Sequence, residues 1–261
     1  MEKPDDYLKY NRTAWNRQVK DGNRWTIPVS DEVIAEARKG NWSIVLTPGK
    51  PVPESWFAPP GSRVLGLASG GGQQCPVMAA AGYDVTVFDL SEEQLGRDAD
   101  ISRKHELNIK TIQGDMADLS VFPSSHFDMV INPCSTAFVP DVAVVYREVS
   151  RVLRPGGVFM TGFTNPVYYL FDIRKVEQGV FTLKYSSPYS DLHSLDEREL
   201  GYFMEKNEPL VFGHSMEAFI GGQLKAGLEL TDLFEDNWGG GDPVDRHFNA
   251  FMATRAVRKQ V

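Results

Sequence analysis

The sequence predicts an α/β fold in which helices cover both faces of a parallel β-sheet. Two observations carry this. From Arg63 onward, short apolar runs of strand length alternate with longer segments whose apolar residues recur at helical spacing. The first of these runs then passes directly into Gly70-Gly71-Gly72, a turn of the kind that joins a strand to a helix. The chain has 261 residues, 42% hydrophobic and 11% aromatic, enough for a sizeable core without disulfides or a structural metal.

The elements follow in order. Polar helices are expected at about 5–19 and 31–39, the second entered through Ser30 and left at Gly40. RVLGLA (63–68) reads as a buried strand and QQCPVMAAAG (73–82) as a small-residue helix. DVTVFDL (84–90) is a second strand, and Ser91 with Gln94 makes a capping box for a helix to about His105. IKTIQG, FDMVIN and GVFMTGF supply three more strands. Between the last two, a helix over 141–153 stops at Pro155-Gly156-Gly157. After Thr164 the alternation breaks, and residues of about 165–214 read as an aromatic and charged insertion. Its one expected helix opens at Ser194 through a box with Glu197. A helix from Ser215 to about Ala226, a strand near LELTDLF and a final strand in HFNAFMATRAV close the chain.

Residues 1–60 have a different texture. They hold Trp15, Trp25, Trp42 and Trp56 and end in a proline-rich stretch, so they read as an aromatic arm or lid on a main domain of 61–261. Lys plus Arg total 27 against 35 for Asp plus Glu, a net charge of −8 that disfavours nucleic acid and anionic lipid as partners. No run approaches the roughly 20 apolar residues of a membrane span, and the N-terminus lacks the apolar stretch of a signal peptide. Cys75 and Cys134 have no zinc-like spacing, and the five histidines share none, so no metal is expected. The expected compartment is the cytoplasm, with both thiols reduced.

The glycine turn lets backbone amides approach a ligand at a helix N-terminus. Asp89 ends the second strand, where a carboxylate can accept both hydroxyls of a ribose. A nicotinamide dehydrogenase and a nucleoside-binding transferase both remain open at this point. The absence of a third dinucleotide glycine, with Gln73, Gln74 and Cys75 following Gly72, favours the transferase. Gly114-Asp115-Met116 then follows the third strand, where an acid and an amide can read an adenine edge.

VLGLASGGG (64–72), VTVFDL (85–90), QGDMADL (113–119), FDMVINP (127–133) and VLRPGGVFM (152–160), taken in order, resemble the class I S-adenosylmethionine-dependent methyltransferases. The arm sequence WNRQVKDGNRWT together with LASGGGQQ is similar to a small bacterial subgroup of them. The resemblance implies a Rossmann-like seven-stranded sandwich of strand order 3-2-1-4-5-7-6 with the last strand reversed. It implies S-adenosylmethionine as methyl donor, S-adenosylhomocysteine as product and a small-molecule acceptor; a non-catalytic cofactor-binding regulator is the alternative outside enzymes. It also assigns roles. Ala68, Ser69, Gly70 and Gly72 would hold the methionine part, Asp89 the ribose, and Leu90 would lie beneath the adenine. Asp115 and Met116 would meet the adenine edge, and Asn132 and Pro133 would sit near the sulfonium. The family's usual acid on the first strand is here Gly66, and its first loop glycine is Ala68. Gln73 or Gln74 is expected to compensate by bonding to the loop or cofactor. Trp25 is expected to close over the cofactor. Trp15, Tyr168, Tyr169, His193 and His214 are candidates for the acceptor pocket, and Tyr185 and Tyr189 lie further into the same insertion. No residue is singled out as a catalytic base.

Overall fold

Five strands run parallel: β1 (Arg63–Leu67), β2 (Asp84–Asp89), β3 (Ile109–Gln113), β4 (Phe127–Asn132) and β5 (Leu153–Thr164). Two more, β6 (Leu228–Asp236) and β7 (Phe251–Arg258), complete one sheet of order 3-2-1-4-5-7-6, with β7 antiparallel between β5 and β6. In this computed structural model, residue 4 and residues 6–260 are described. The outermost ends of both expected regions, and the expected start of the first helix at residue 5, lie outside the described residues.

Side-chain alternation along the strands builds two cores. Leu65, Leu67, Phe88, Val130 and Phe159 face one way, onto α5 (Val142–Val152). That helix buries Val142, Val145, Tyr146, Val149 and Val152, an apolar stripe at helical spacing. Val64, Val85, Val87, Met129, Ile131 and Met160 face the other way, onto α3 (Gln74–Ala80) and Trp56. A fully buried Trp must place its indole N–H, and Trp56 donates to Asp232 Oδ2 at 2.8 Å. Trp42 packs edge-on against Phe57 and Tyr83 in the same layer. Two of the four early tryptophans therefore belong to the core.

Several local expectations are corrected. α1 (Tyr7–Lys20) and α2 (Asp31–Arg38) form, but Ser30 makes no side-chain cap bond. At α4 (Glu92–Lys104) Ser91 Oγ accepts from the Gln94 N–H; the Gln94 side chain turns towards Gly71 instead of closing the box. Pro155-Gly156-Gly157 lies inside β5, not ahead of it, because the pairing register shifts between Phe127 and Met129 and the extra residues bulge out. In the inserted segment α6 (Glu197–Glu205) is capped by Asp196 with Glu199, whose carboxylate also neutralises two cations. Ser194 ends a separate short turn, Asp191–Ser194. The expected helix from Ser215 contains a π turn, Glu217–Gly221, before α7 (Gly222–Lys225).

Gly66 has a packing reason that excludes the missing strand acid. A Cβ on Gly66 would lie 2.2 Å from Cys75 Sγ, far inside contact distance. Gly66→Ala should lower stability by about 1–3 kcal/mol in urea unfolding, and adding Cys75→Ala should recover most of that loss. Additive losses in the double variant would show that the two positions do not compete.

Candidate active site

A cavity of about 350 Å³ opens where β1, β2, β3 and β4 end. Its floor is the loop after β1. Ala68 holds a left-handed conformation at φ 45°, and its N–H donates to Phe88 O at 2.7 Å, turning the chain away from the sheet. Gly70 N–H donates to Asp89 Oδ2 at 2.9 Å, and Ser91 N–H to Asp89 Oδ1 at the same distance. Burial pushes the Asp89 carboxyl up while these amides pull it down. Beyond β3, a Cβ on Gly114 would fall 2.1 Å from Phe88 Cζ, so the backbone runs directly over that ring. Asp115 follows, its Oδ1 accepting from the Ala117 N–H and its carboxyl raised by burial.

Of the residues picked from sequence, Ala68, Ser69, Gly70, Gln73, Gln74, Asp89, Leu90, Asp115, Met116, Pro133 and Trp25 all line this cavity. Gly72 and Asn132 do not. Asn132 is fully buried and spends its amide internally, donating to Leu67 O and Ser135 Oγ and accepting from Thr161 Oγ1. It ties β1 to β5 and does not line the cavity. Gly72 supports the chain's own N-terminal segment. Val29 N–H donates to Gly72 O, and a Cβ on Gly72 would strike Pro28 at 2.9 Å.

The glutamines also serve this segment. Gln73 Nε2 donates to Arg24 O and Ile27 O, and Gln74 Nε2 to Val45 O. The loop itself is fixed by a residue that the sequence reading missed, Asp98 on α4. Its Oδ2 accepts from both the Gly71 and Gly72 N–H groups, at 2.9 and 3.1 Å. Gln94, Asp98, Ile101 and Ser102 share one buried face, so the acid needs partners there, but in the sequence it reads as one more acid in a polar helix.

A second cavity of about 430 Å³ adjoins the first. Trp15, Trp25, Phe138, Tyr168, Tyr169, Val211 and Trp238 line both. The two cavities therefore share an almost wholly aromatic boundary, the neck. Trp15 meets Phe138 edge-on at 5.1 Å, and Trp25 lies 6.3 Å from Trp238 with the Arg24 guanidinium over both rings. His193 and His214 line neither cavity. His193 is exposed; His214 is buried, bonded through Nε2 to Thr136 O, and held neutral because burial lowers its pKa.

The comparisons with known proteins agree with this geometry. A family profile described as a methyltransferase domain matches residues 65–161. The uncharacterized methyltransferase YbaJ of Bacillus subtilis (strain 168) is 46% identical over 252 residues, covering 96% of this chain and 98% of that one. The chain belongs to the class I S-adenosylmethionine-dependent methyltransferases. Solved structures share the methyltransferase fold at lower identity. An S-adenosylmethionine-dependent methyltransferase from Mesorhizobium loti aligns with TM-score 0.60 and 19% identity over 78% of this chain and 94% of its own. The Burkholderia thailandensis 1,6-didemethyltoxoflavin-N1-methyltransferase aligns with TM-score 0.63 and 13% identity, over 100% of this chain and 92% of its own. Among the described residues of this methyltransferase no helix is long and apolar enough to cross a membrane, and no cluster of three or more His, Cys, Asp or Glu is placed to hold a metal.

Asp98 gives the site a pH signature. It is fully buried, and its Oδ1 and the Gln94 Oε1 one helical turn away have no hydrogen-bond partner among the described residues. Burial, with Asp89 nearby, pushes the Asp98 carboxyl from 3.8 up to about 8. Between those two values the folded protein holds a proton that the unfolded chain releases, so this group makes stability fall as pH rises. In Asp98→Asn the decrease in Tm between about pH 5 and about pH 8 should shrink, as read by scanning calorimetry. An unchanged decrease would mean that the carboxylate is ionised throughout.

Proposed function

We propose that this methyltransferase passes a methyl group from S-adenosylmethionine, held in the first chamber, to a small-molecule acceptor held in the second, through the aromatic neck. The observation that carries the reading is the set of seven residues common to both cavities. They form the boundary between a chamber floored by the glycine loop and a chamber walled largely by residues 165–214.

The first chamber has the groups that the donor requires. Asp89 keeps acceptor capacity towards the cavity after taking two amide bonds, which suits a ribose diol. Leu90 offers an apolar surface to a purine, and Asp115 with the Met116 N–H fits its polar edge. Ala68, Ser69 and Gly70 would lie along the methionine part and Pro133 beside the neck. When bound, S-adenosylmethionine supplies an activated methyl on a sulfonium. What remains for the chain is to hold both partners in line and keep water out, and alignment of this kind supplies on the order of 7–11 kcal/mol. An aromatic lining suits a cationic sulfur, and at the neck the Arg24 guanidinium already lies over the Trp25 and Trp238 rings. A general base is needed only for a weakly acidic nucleophile, so no basic histidine has to reach the neck.

Residues 1–60 act in this reading as a lid. Asn11, on α1, exchanges two hydrogen bonds with Leu210, donating to its carbonyl at 3.1 Å and accepting from its N–H at 2.8 Å. Gln18 Nε2 donates to Asn207 O, and Ser91 Oγ donates to Asn16 Oδ1. The same helix thus touches both the inserted segment and the head of α4.

Calorimetry with S-adenosylhomocysteine and with NADH tests the assignment: the first should bind and the second should not, and binding of NADH alone would overturn it. Trp25→Ala should raise the dissociation constant for S-adenosylhomocysteine by about tenfold, because a half-buried ring at the neck is lost. The same variant should lower Tm by only a few degrees, as expected for a loss of about 1 kcal/mol or less. A large drop in Tm with unchanged affinity would make Trp25 a packing residue.

A further inference from the structure

The inserted segment buries three carboxylates, Asp172, Asp191 and Glu199, and treats one of them differently. Asp172 and Glu199 share the same two cations. Arg174 lies 3.7 Å from Asp172 and 2.8 Å from Glu199, while the Lys184 ammonium lies 3.3 Å from Asp172 and also contacts Glu199. Asp191 is 8% exposed, lines the second chamber and has no ion pair among the described residues. Its donors are neutral: the Tyr189 hydroxyl to Oδ1 at 2.6 Å and the Val211 N–H to Oδ2 at 2.7 Å.

Those two donors place the charge. Val211 belongs to the neck, so Asp191 stands directly behind it. Tyr189 stacks on Tyr169 at 5.5 Å with an interplanar angle of 12°, and Tyr185 meets Tyr189 at 5.2 Å. Burial pushes the Asp191 carboxyl up to about 6, which leaves it ionised at neutral pH. A buried carboxylate without a countercharge is costly unless a cation reaches it, and a wall of tyrosine rings favours the same kind of guest. Across the whole chamber four carboxylates face two basic side chains, and Lys206, one of the two, sits over the Tyr202 ring.

We propose that the chamber takes an acceptor carrying a basic nitrogen on a flat apolar body, an arylalkyl amine or amidine, with Asp191 as its counterion. The proposal rests on the reading that the second chamber holds the acceptor.

The test titrates the full-length protein, saturated with S-adenosylhomocysteine, with N-methylbenzylamine, benzyl alcohol and benzoate, following tryptophan fluorescence. The amine should bind at least about tenfold more tightly than the alcohol, and benzoate most weakly. In Asp191→Asn the amine should lose about tenfold in affinity, while the alcohol and S-adenosylhomocysteine change by less than about twofold. Retained binding of the alcohol and of S-adenosylhomocysteine by Asp191→Asn separates lost charge from a disturbed fold. The proposal is overturned if the alcohol or benzoate matches the amine, if none of the three binds the loaded protein, or if Asp191→Asn binds the amine like the wild type. Tight binding of S-adenosylhomocysteine in each of those cases leaves the methyltransferase reading standing; its absence in the wild type would remove that reading first.

Discussion

One buried carboxylate fixes the loop on which the first chamber rests. Asp98 reaches from α4 to the Gly71 and Gly72 amides, and both glycines hold positive φ, at 107° and 76°. Neutral or charged, the carboxyl supplies the acceptor that two adjacent amides need once they leave the sheet. With the amides held from below, Gly70 is presented to Asp89 and the upper surface of Gly71 and Gly72 is open to the segment 25–28. A side chain at either glycine would push that segment away. The loop therefore serves two purposes at once, a floor for the first cavity on one side and a seat for residues 25–28 on the other.

This arrangement accounts for the departures from the family pattern. Gly66 leaves room for the Cys75 sulfur, so a strand acid cannot enter, and the loop is anchored from the helix one layer further out. Burial raises the Cys75 thiol, which keeps it an apolar filler rather than a nucleophile. Gln73 and Gln74 are free to grip the N-terminal segment because the loop does not need them.

Much of the sheet was legible because strands covered on both faces leave continuous apolar runs, and because α5 repeats its valines at helical spacing. The order of strands was legible only through the motifs, since periodicity says nothing about which strand lies beside which. What escaped notice depended on partners distant in sequence. Asp98 looked like one more acid in a polar helix, and its role needed the glycine loop 26 and 27 positions earlier. Asn132 ended a strand at the right place for a ligand contact, but Leu67, Ser135 and Thr161 absorb its amide. Ser194 satisfied a capping pattern that Asp196 satisfied better, two residues on. His214 flanked the insertion as expected, yet its ring turned inward onto Phe219.

The pairing of Asn11 with Leu210 spans 199 positions. During synthesis α1 leaves the ribosome early, and the residues it must grip follow, at about 5–20 residues per second, some ten to forty seconds later. The strands β1 to β5 precede Leu210 in the chain, while β6 and β7, which complete the sheet beside β5, follow it. Closure of the two chambers is then among the last events of folding. A chain truncated before residue 207 would lack β6 and β7 as well as the grip of Leu210 on Asn11, leaving β5 an open sheet edge and exposing aromatic rings that the finished protein encloses.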